Sequence, residues 1–278
     1  MLIHQTWKDS NVPEHWKPGS NAWQALHPRW TYLLWTDADI EAYIRSSWPN
    51  DWAVFEALSW PIQRVDLWRY YVLRDFGGVY ADLDIKPVRA IDGPSTLGPG
   101  HVFLVPSANA SGVYTNAFMI SDNSAVAKAF WTSVIESVKD YTRSRTLSVV
   151  SAISRHMEIM TSTGPLALTH AANVGTWPVT VLPKTLWNPF DLSVADDSVL
   201  QDQEAHPDAL VRILPGSSWH AADSSIVSYV HSHRKVLGVL LILVIAYYVL
   251  RSEQMAVRIE TLRRSLRLRN PFSRATRL

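Results

Sequence analysis

Cysteine is missing from all 278 residues, which excludes disulfides, zinc–thiolate centres and cysteine nucleophiles. Any metal must therefore be held by oxygen or imidazole ligands. Charge of one sign is missing too: 26 Lys and Arg face 25 Asp and Glu, for a formal net charge of +1. A folded domain that binds nucleic acid needs a basic face, and eight of the arginines lie in Arg251–Leu278 instead. No nucleic-acid partner is expected. There is no Gly-rich loop ending in Gly-Lys-Ser/Thr, so a phosphate-loop ATPase is excluded. No internal repeat and no low-complexity tract stand out. The sequence opens on strand-like Leu2-Ile3-His4-Gln5-Thr6-Trp7 with no apolar signal region, so a cleaved secretion signal is not expected.

What is present is ample apolar material, at 47% of residues, enough for a large globular core. Three zones follow. Residues 1–225 read as one mixed α/β domain, because strand-like runs (Leu2–Trp7, Trp30–Trp35, Val79–Leu83, His101–Val105) alternate with helical patterns. Thr36-Asp37 caps a helix that carries Ile40, Tyr43 and Ile44, and a later helix is expected from Ser124 to Val138. Residues 226–250 form a linker and a hydrophobic segment. Its apolar run, Val236–Leu250, is uncharged but amounts to only about 22 Å of helix against a hydrocarbon core of about 30 Å. A buried core helix competes with a membrane helix, and the polybasic far flank favours the membrane. Residues 251–278 form an Arg-rich amphipathic tail suited to anionic headgroups, with a solvated, partly disordered tail as the alternative. The expected location is therefore a membrane surface, reached through the C-terminal segment as a single-pass or monotopic attachment, of the Golgi or ER type in a eukaryote. The side on which the catalytic domain sits stays open.

The chemistry concentrates between Pro61 and Asp84. Pro61 suits a first helical turn and Gly77 a helix C-terminus with positive φ. Between them Ile62, Val65, Leu67, Trp68, Val72, Leu73 and Phe76 make an apolar helix, on which Asp66 and Arg69, three apart, share a face. After Gly78 the pattern becomes a short strand, on which Asp82 and Asp84 are expected to project from the same side. Two carboxylates that close repel unless a cation lies between them. Mn²⁺ or Mg²⁺, which takes one or two carboxylates together with substrate phosphates, fits.

Ile3-His4-Gln5-Thr6-Trp7, Asp66-x-x-Arg69-Tyr70 and Gly77-Gly78-Val79-Tyr80-x-Asp82-x-Asp84 together resemble the DXD-containing sugar-binding glycosyltransferases of family 32. Asn116-Ala117-Phe118-Met119-Ile120, Thr163-Gly164-Pro165 and Gly216-Ser217-Ser218-Trp219-His220 agree with it. The last element, with the hydrophobic C-terminal segment, looks most like the mannosyl inositol phosphorylceramide synthase branch. The resemblance implies a Rossmann-like GT-A fold, a nucleotide-sugar donor with GDP-mannose favoured, Mn²⁺ or Mg²⁺, and transfer with retention of configuration. It implies metal and diphosphate binding by Asp82 and Asp84, with His220 as a third ligand. Asp66 and Arg69 are implied to hold the donor's sugar or phosphate, and Trp7 and Tyr80 to line the nucleotide pocket. Gly77 and Gly78 are implied to allow the close approach before the strand, and Asn116 and Trp219 complete the donor set. The acceptor expected is a lipid or membrane-held glycan, such as an inositol-phosphoceramide-like glycolipid.

Two other readings stay open: a UDP-hexose-dependent enzyme acting on a glycan, and an inactive membrane-bound sugar-binding scaffold. A haloacid-dehalogenase-type phosphatase fits poorly, since it wants Thr or Val two residues after the second Asp, where this chain has Lys86. Nine of the thirteen Trp precede residue 69. Packing accounts for most of them, with Trp7 the exception.

Overall fold

A computed structural model of the chain describes residues 1–107, 110–143, 155–187 and 207–214, all within one compact unit, Met1–His220. Trp219, His220, the run Val236–Leu250 and the tail Arg251–Leu278 lie outside the described residues. Among the described residues, no helix is long and apolar enough to cross a membrane.

The elements in order are β1 (Leu2–Thr6), α1 (Lys17–Leu26), β2 (Thr31–Trp35), α2 (Asp37–Ser47), α3 (Trp52–Glu56), α4 (Pro61–Phe76), β3 (Gly78–Ala81) and β4 (Ile85–Pro87). They continue with β5 (Val102–Pro106), β6 (Tyr114–Ser121), α5 (Ala125–Arg143), α6 (Arg155–Ser162), α7 (Pro165–Asn173), β7 (Val179–Val181), α8 (Lys184–Trp187) and β8 (Val211–Ile213). Six strands form one mixed sheet in the order β2-β1-β3-β6-β5-β7, and β4 pairs with β8 in a separate two-stranded sheet. β1 runs parallel to β2 and β3, whereas β6 is antiparallel to both β3 and β5. The expected α/β class and layered architecture are observed.

Side chains alternate across the sheet, as the two-residue strand period requires. Val79 and Ala81 of β3, Phe103 and Val105 of β5, and Phe118 and Ile120 of β6 enter one core with Trp23 and Trp187. Tyr80, Val102, Leu104 and Met119 enter the other, against Leu67, Leu73, Phe130 and Trp131 of α4 and α5. The expected helix starts are found. Thr36 and Asp39 form a reciprocal capping box on α2, and α4 spans Pro61–Phe76, with Gly77 at φ 63° closing it.

Gly78 shows why glycine is needed at the entry to β3. Its φ is 100°, and a Cβ there would lie 2.4 Å from the Leu2 carbonyl oxygen. No residue but glycine combines that backbone with that approach.

Candidate active site

In parallel sheet regions, ligand sites form beyond the carboxyl ends of the strands. Here Trp7 follows β1, Trp35 ends β2 and Asp82 follows β3. The Trp7 amide donates to the Trp35 carbonyl at 3.1 Å, tying two of these ends together.

The strand expected to carry both aspartates stops one residue short of them. β3 ends at Ala81, and the Ile85 amide donates to the Asp82 carbonyl at 2.9 Å, closing a turn over Asp82-Leu83-Asp84. A buried strand has no room for two ionised carboxylates, whereas a turn at its end does. The alternation nevertheless persists through the turn: Leu83, Ile85 and Pro87 are buried, while Asp82, Asp84 and Lys86 are partly exposed.

The turn is pinned from several directions. The Asp82 amide donates to the Ala117 carbonyl at 2.8 Å, and the Leu214 amide donates to the Asp84 carbonyl at 2.6 Å. The Gln5 side-chain amide donates to the Asp82 carbonyl at 3.0 Å, and Gln5 is itself oriented by the Tyr32 hydroxyl at 2.9 Å. The Trp23 indole holds the Ile85 carbonyl at 2.9 Å.

Behind the turn lies a buried polar network. Arg69 projects from α4, 2% exposed. Its Nη2 meets Asp66 Oδ1 at 3.0 Å and its Nη1 meets Asp82 Oδ1 at 3.2 Å. The same guanidinium donates to the Asn116 carbonyl at 2.8 Å and lies 4.5 Å from the centre of the Tyr80 ring. The Tyr80 hydroxyl donates to Asp82 Oδ1 at 2.6 Å. Asp66 also accepts from the Asn116 amide at 2.9 Å and the Thr163 hydroxyl at 3.0 Å, and Tyr70 bonds the Thr163 carbonyl at 2.7 Å. Burial pushes the Asp66 carboxyl up to about 6, against the pull of Arg69.

Asp84 differs from Asp82. Its Oδ1 is buried without a hydrogen-bond partner. Burial first, and the Asp82 charge second, push its carboxyl up to about 7. An orphaned buried oxygen beside a second carboxylate is what a hard divalent cation relieves, so the residues present fit Mn²⁺ or Mg²⁺. Among the described residues, no three His, Asp or Glu side chains converge on one point, and His220 lies outside them. Substrate phosphates or water must supply further ligands.

Of the residues singled out in the sequence, Asp66, Arg69, Tyr80, Asp82 and Asn116 meet in this network, and Asp84 stands beside it on the same turn. Trp7 is half-buried at the end of β1, edge-on to Trp16 at 5.2 Å, with its indole nitrogen buried and unpartnered. Gly77 and Gly78 are not brought to this end. They enter β3 at its opposite end, on the order of 13 Å away at 3.3 Å per residue.

Residues 13–104, which include Asp66, Arg69, Tyr80, Asp82 and Asp84, match the family model described as the glycosyltransferase sugar-binding region containing a DXD motif. That stretch is similar to DXD glycosyltransferase domains.

Curated proteins similar to the chain include the mannosyl phosphorylinositol ceramide synthase CSH1 of Saccharomyces cerevisiae. It is 28% identical over 239 residues, which cover 84% of this chain and 56% of that protein. The inositol phosphoceramide mannosyltransferase 3 of Schizosaccharomyces pombe is 29% identical over 255 residues, covering 89% of this chain and 64% of that one. The chain thus spans between about half and two thirds of the length of these relatives. A solved structure, the PaToxG glycosyltransferase, aligns over 73% of each chain at 15% identity with a TM-score of 0.42.

Thr163, Gln5 and Tyr32 complete the candidate site, although the sequence does not assign them to it. Gln5 and Thr163 lie within the quoted motifs, but their contacts span 77 and 97 residues, which no local pattern reports.

Proposed function

We propose that the chain is a retaining, metal-dependent mannosyltransferase. It moves mannose from GDP-mannose to the inositol headgroup of a membrane-held inositol-phosphoceramide-like lipid. Similarity to the inositol phosphoceramide mannosyltransferases supports the sugar and the acceptor. The observation that carries the metal dependence is the buried, unpartnered Asp84 Oδ1 on the turn that also presents Asp82. A GT-A arrangement agrees with the mixed sheet and with a DXD turn at the end of a central strand.

Asp82 and Asp84 would hold Mn²⁺ or Mg²⁺, which when bound neutralises the charge that develops on the departing diphosphate. Arg69 holds Asp82 in place by charge and by direct contact, Asp66 and Asn116 hold Arg69, and Thr163 holds Asp66. Donor-sugar hydroxyls come within reach of this network at the Asp82 edge, where the carboxylate is one-third exposed. In the reaction the bond between the anomeric carbon and the phosphate oxygen breaks, and a bond to the acceptor hydroxyl forms. The proton of that hydroxyl passes to the leaving diphosphate, so no protein base is assigned. Attachment to the membrane falls to Val236–Leu250 and the Arg-rich tail, which places the acceptor within reach.

The deciding experiment is transfer by the full chain in detergent micelles, with GDP-mannose, inositol phosphoceramide and Mn²⁺. Mannosylated lipid that disappears with EDTA and returns with Mn²⁺ is the expected result. Absence of transfer from GDP-mannose alongside transfer from a UDP-hexose overturns the donor assignment, and absence of transfer from either leaves the scaffold reading.

A further inference from the structure

Helix α1 lies against the aspartate turn. Its buried residues are Gly19, Ser20 and Trp23, and Gly19 and Trp23, four apart, share a face. Both meet the turn. The Trp23 indole N–H donates to the Ile85 carbonyl at 2.9 Å. A Cβ on Gly19 would lie 3.2 Å from the Leu83 carbonyl oxygen and 3.7 Å from that of Ile85.

Glycine is a poor helix former, because it loses the most backbone freedom on ordering. Gly19 stands in the first turn of α1 without a positive φ, so its backbone conformation does not call for it. The approach of Leu83 does. Any side chain there presses on a backbone carbonyl, which has no rotamer to escape into.

The neighbouring carbonyls are held as well. That of Asp82 accepts from the Ile85 amide at 2.9 Å and the Gln5 side-chain amide at 3.0 Å, and that of Asp84 accepts from the Leu214 amide. The Tyr32 hydroxyl donates to Gln5 Oε1 at 2.9 Å, which keeps the Nε2 end of that amide aimed at Asp82. Leu83 stands between the two aspartates, so a shift of its peptide moves both carboxylates. Divalent cations with oxygen ligands are sensitive to ligand separation, Mg²⁺ most of all.

We propose that Gly19, and Tyr32 acting through Gln5, are positioning residues for the Asp82 and Asp84 carboxylates. They brace the turn's backbone so that both carboxylates meet one cation together. The brace stands on the contacts alone, whereas its effect on a cation rests on the metal reading above.

The test uses two readouts on the full chain. Hydrogen exchange reports the Ile85 amide that closes the turn, and calorimetry reports Mn²⁺ affinity without donor or acceptor. Gly19→Ala should melt near the parent temperature, since better helix propensity offsets the squeeze. Exchange at Ile85 should nonetheless quicken, and Mn²⁺ affinity should fall about tenfold. Tyr32→Phe keeps the ring and deletes the donor to Gln5, and should weaken Mn²⁺ about fivefold. Asn21→Ala, on the exposed side of the same helix, should move neither readout. Excess Mn²⁺ should restore transfer by Gly19→Ala and Tyr32→Phe, which a generally loosened fold would not allow.

Parental Mn²⁺ affinity in Gly19→Ala overturns the proposal, and so does an equal loss in Asn21→Ala. Should Gly19→Ala not fold, Tyr32→Phe decides by the same two readouts. A parent that binds no Mn²⁺ defeats the metal reading, while exchange at Ile85 still decides the brace.

Discussion

Arg69 reaches Asp82 across the boundary between helix α4 and the aspartate turn, Nη1 to Oδ1 at 3.2 Å, with Arg69 buried and Asp82 one-third exposed. One guanidinium thereby couples a fully buried carboxylate, Asp66, to a solvent-facing one. Removing one partner of a buried pair leaves an uncompensated charge, which costs about 3–5 kcal/mol. Arg69→Met is expected to lose stability of that order in urea unfolding. Because both residues belong to one network, Arg69→Met with Asp66→Leu should lose less than the two single changes added. Additive losses would show that the pair is not coupled.

Asp84→Asn keeps the shape of the turn and removes the charge that burial and Asp82 disfavour. Its melting temperature should match or exceed the parent's in EDTA, while calorimetric Mn²⁺ affinity falls at least about tenfold and transfer is lost. A folded Asp84→Asn protein with full turnover would sink the metal assignment.

Metal affinity should also depend on pH. The carboxyl of Asp84 is pushed up to about 7 by burial and by Asp82, and a ligand must be deprotonated to bind. Mn²⁺ affinity is therefore expected to fall as pH drops through 7, by up to about tenfold per unit below it. A flat profile between pH 7.5 and 5.5 contradicts this.

His4 makes the chain sensitive to acid by a different route. The Trp35 indole N–H lies 3.2 Å from His4 Nδ1, and His4 Nε2 lies 3.1 Å from the Gly77 carbonyl oxygen. An indole only donates and a carbonyl only accepts, so the imidazole is neutral, with its proton on Nε2. Burial lowers its pKa from 6.5 to about 4. Between those values the unfolded chain binds the proton and the folded chain does not, so this contribution is full above pH 6.5 and is lost as pH falls toward 4. The loss is about 3 kcal/mol. His4→Gln should shrink the drop in unfolding free energy between pH 7 and 4.5 relative to the parent. An identical drop in both proteins refutes the assignment.

Gly78→Ala and Gly98→Ala separate steric conflict from backbone strain. Both glycines have positive φ, but a Cβ at Gly78 strikes the Leu2 carbonyl, whereas nothing lies within 4 Å at Gly98. Gly98→Ala should cost about 1–3 kcal/mol from strain alone. Gly78→Ala should cost clearly more in the same urea titration, or fail to fold.

Local signals read well from the sequence. Pro61 and Gly77 bound α4 because proline fits a first turn and glycine the left-handed exit, and Thr36 with Asp39 caps α2 through side chains three residues apart. Asp66 and Arg69 follow from helical spacing alone. The turn over Asp82-Leu83-Asp84 reads as strand in the sequence because its burial alternates with a strand-like period, while the closing bond from Ile85 is invisible in composition. Thr163 and Gln5 act over long sequence separations, and their roles follow from how α7 packs and how β1 borders β3. Trp219, His220 and the hydrophobic run lie outside the described residues.

The pinned turn bears on how quickly an ion can come and go. Gln5, Ala117, Trp23 and Leu214 hold its backbone through the protein's own hydrogen bonds, so little chain entropy is lost when an ion arrives. Exchange should then be paced by the shedding of the ion's own water shell rather than by rearrangement of the protein. Mn²⁺, the more readily dehydrated of the two candidate ions, should cycle faster than Mg²⁺ at the same two carboxylates.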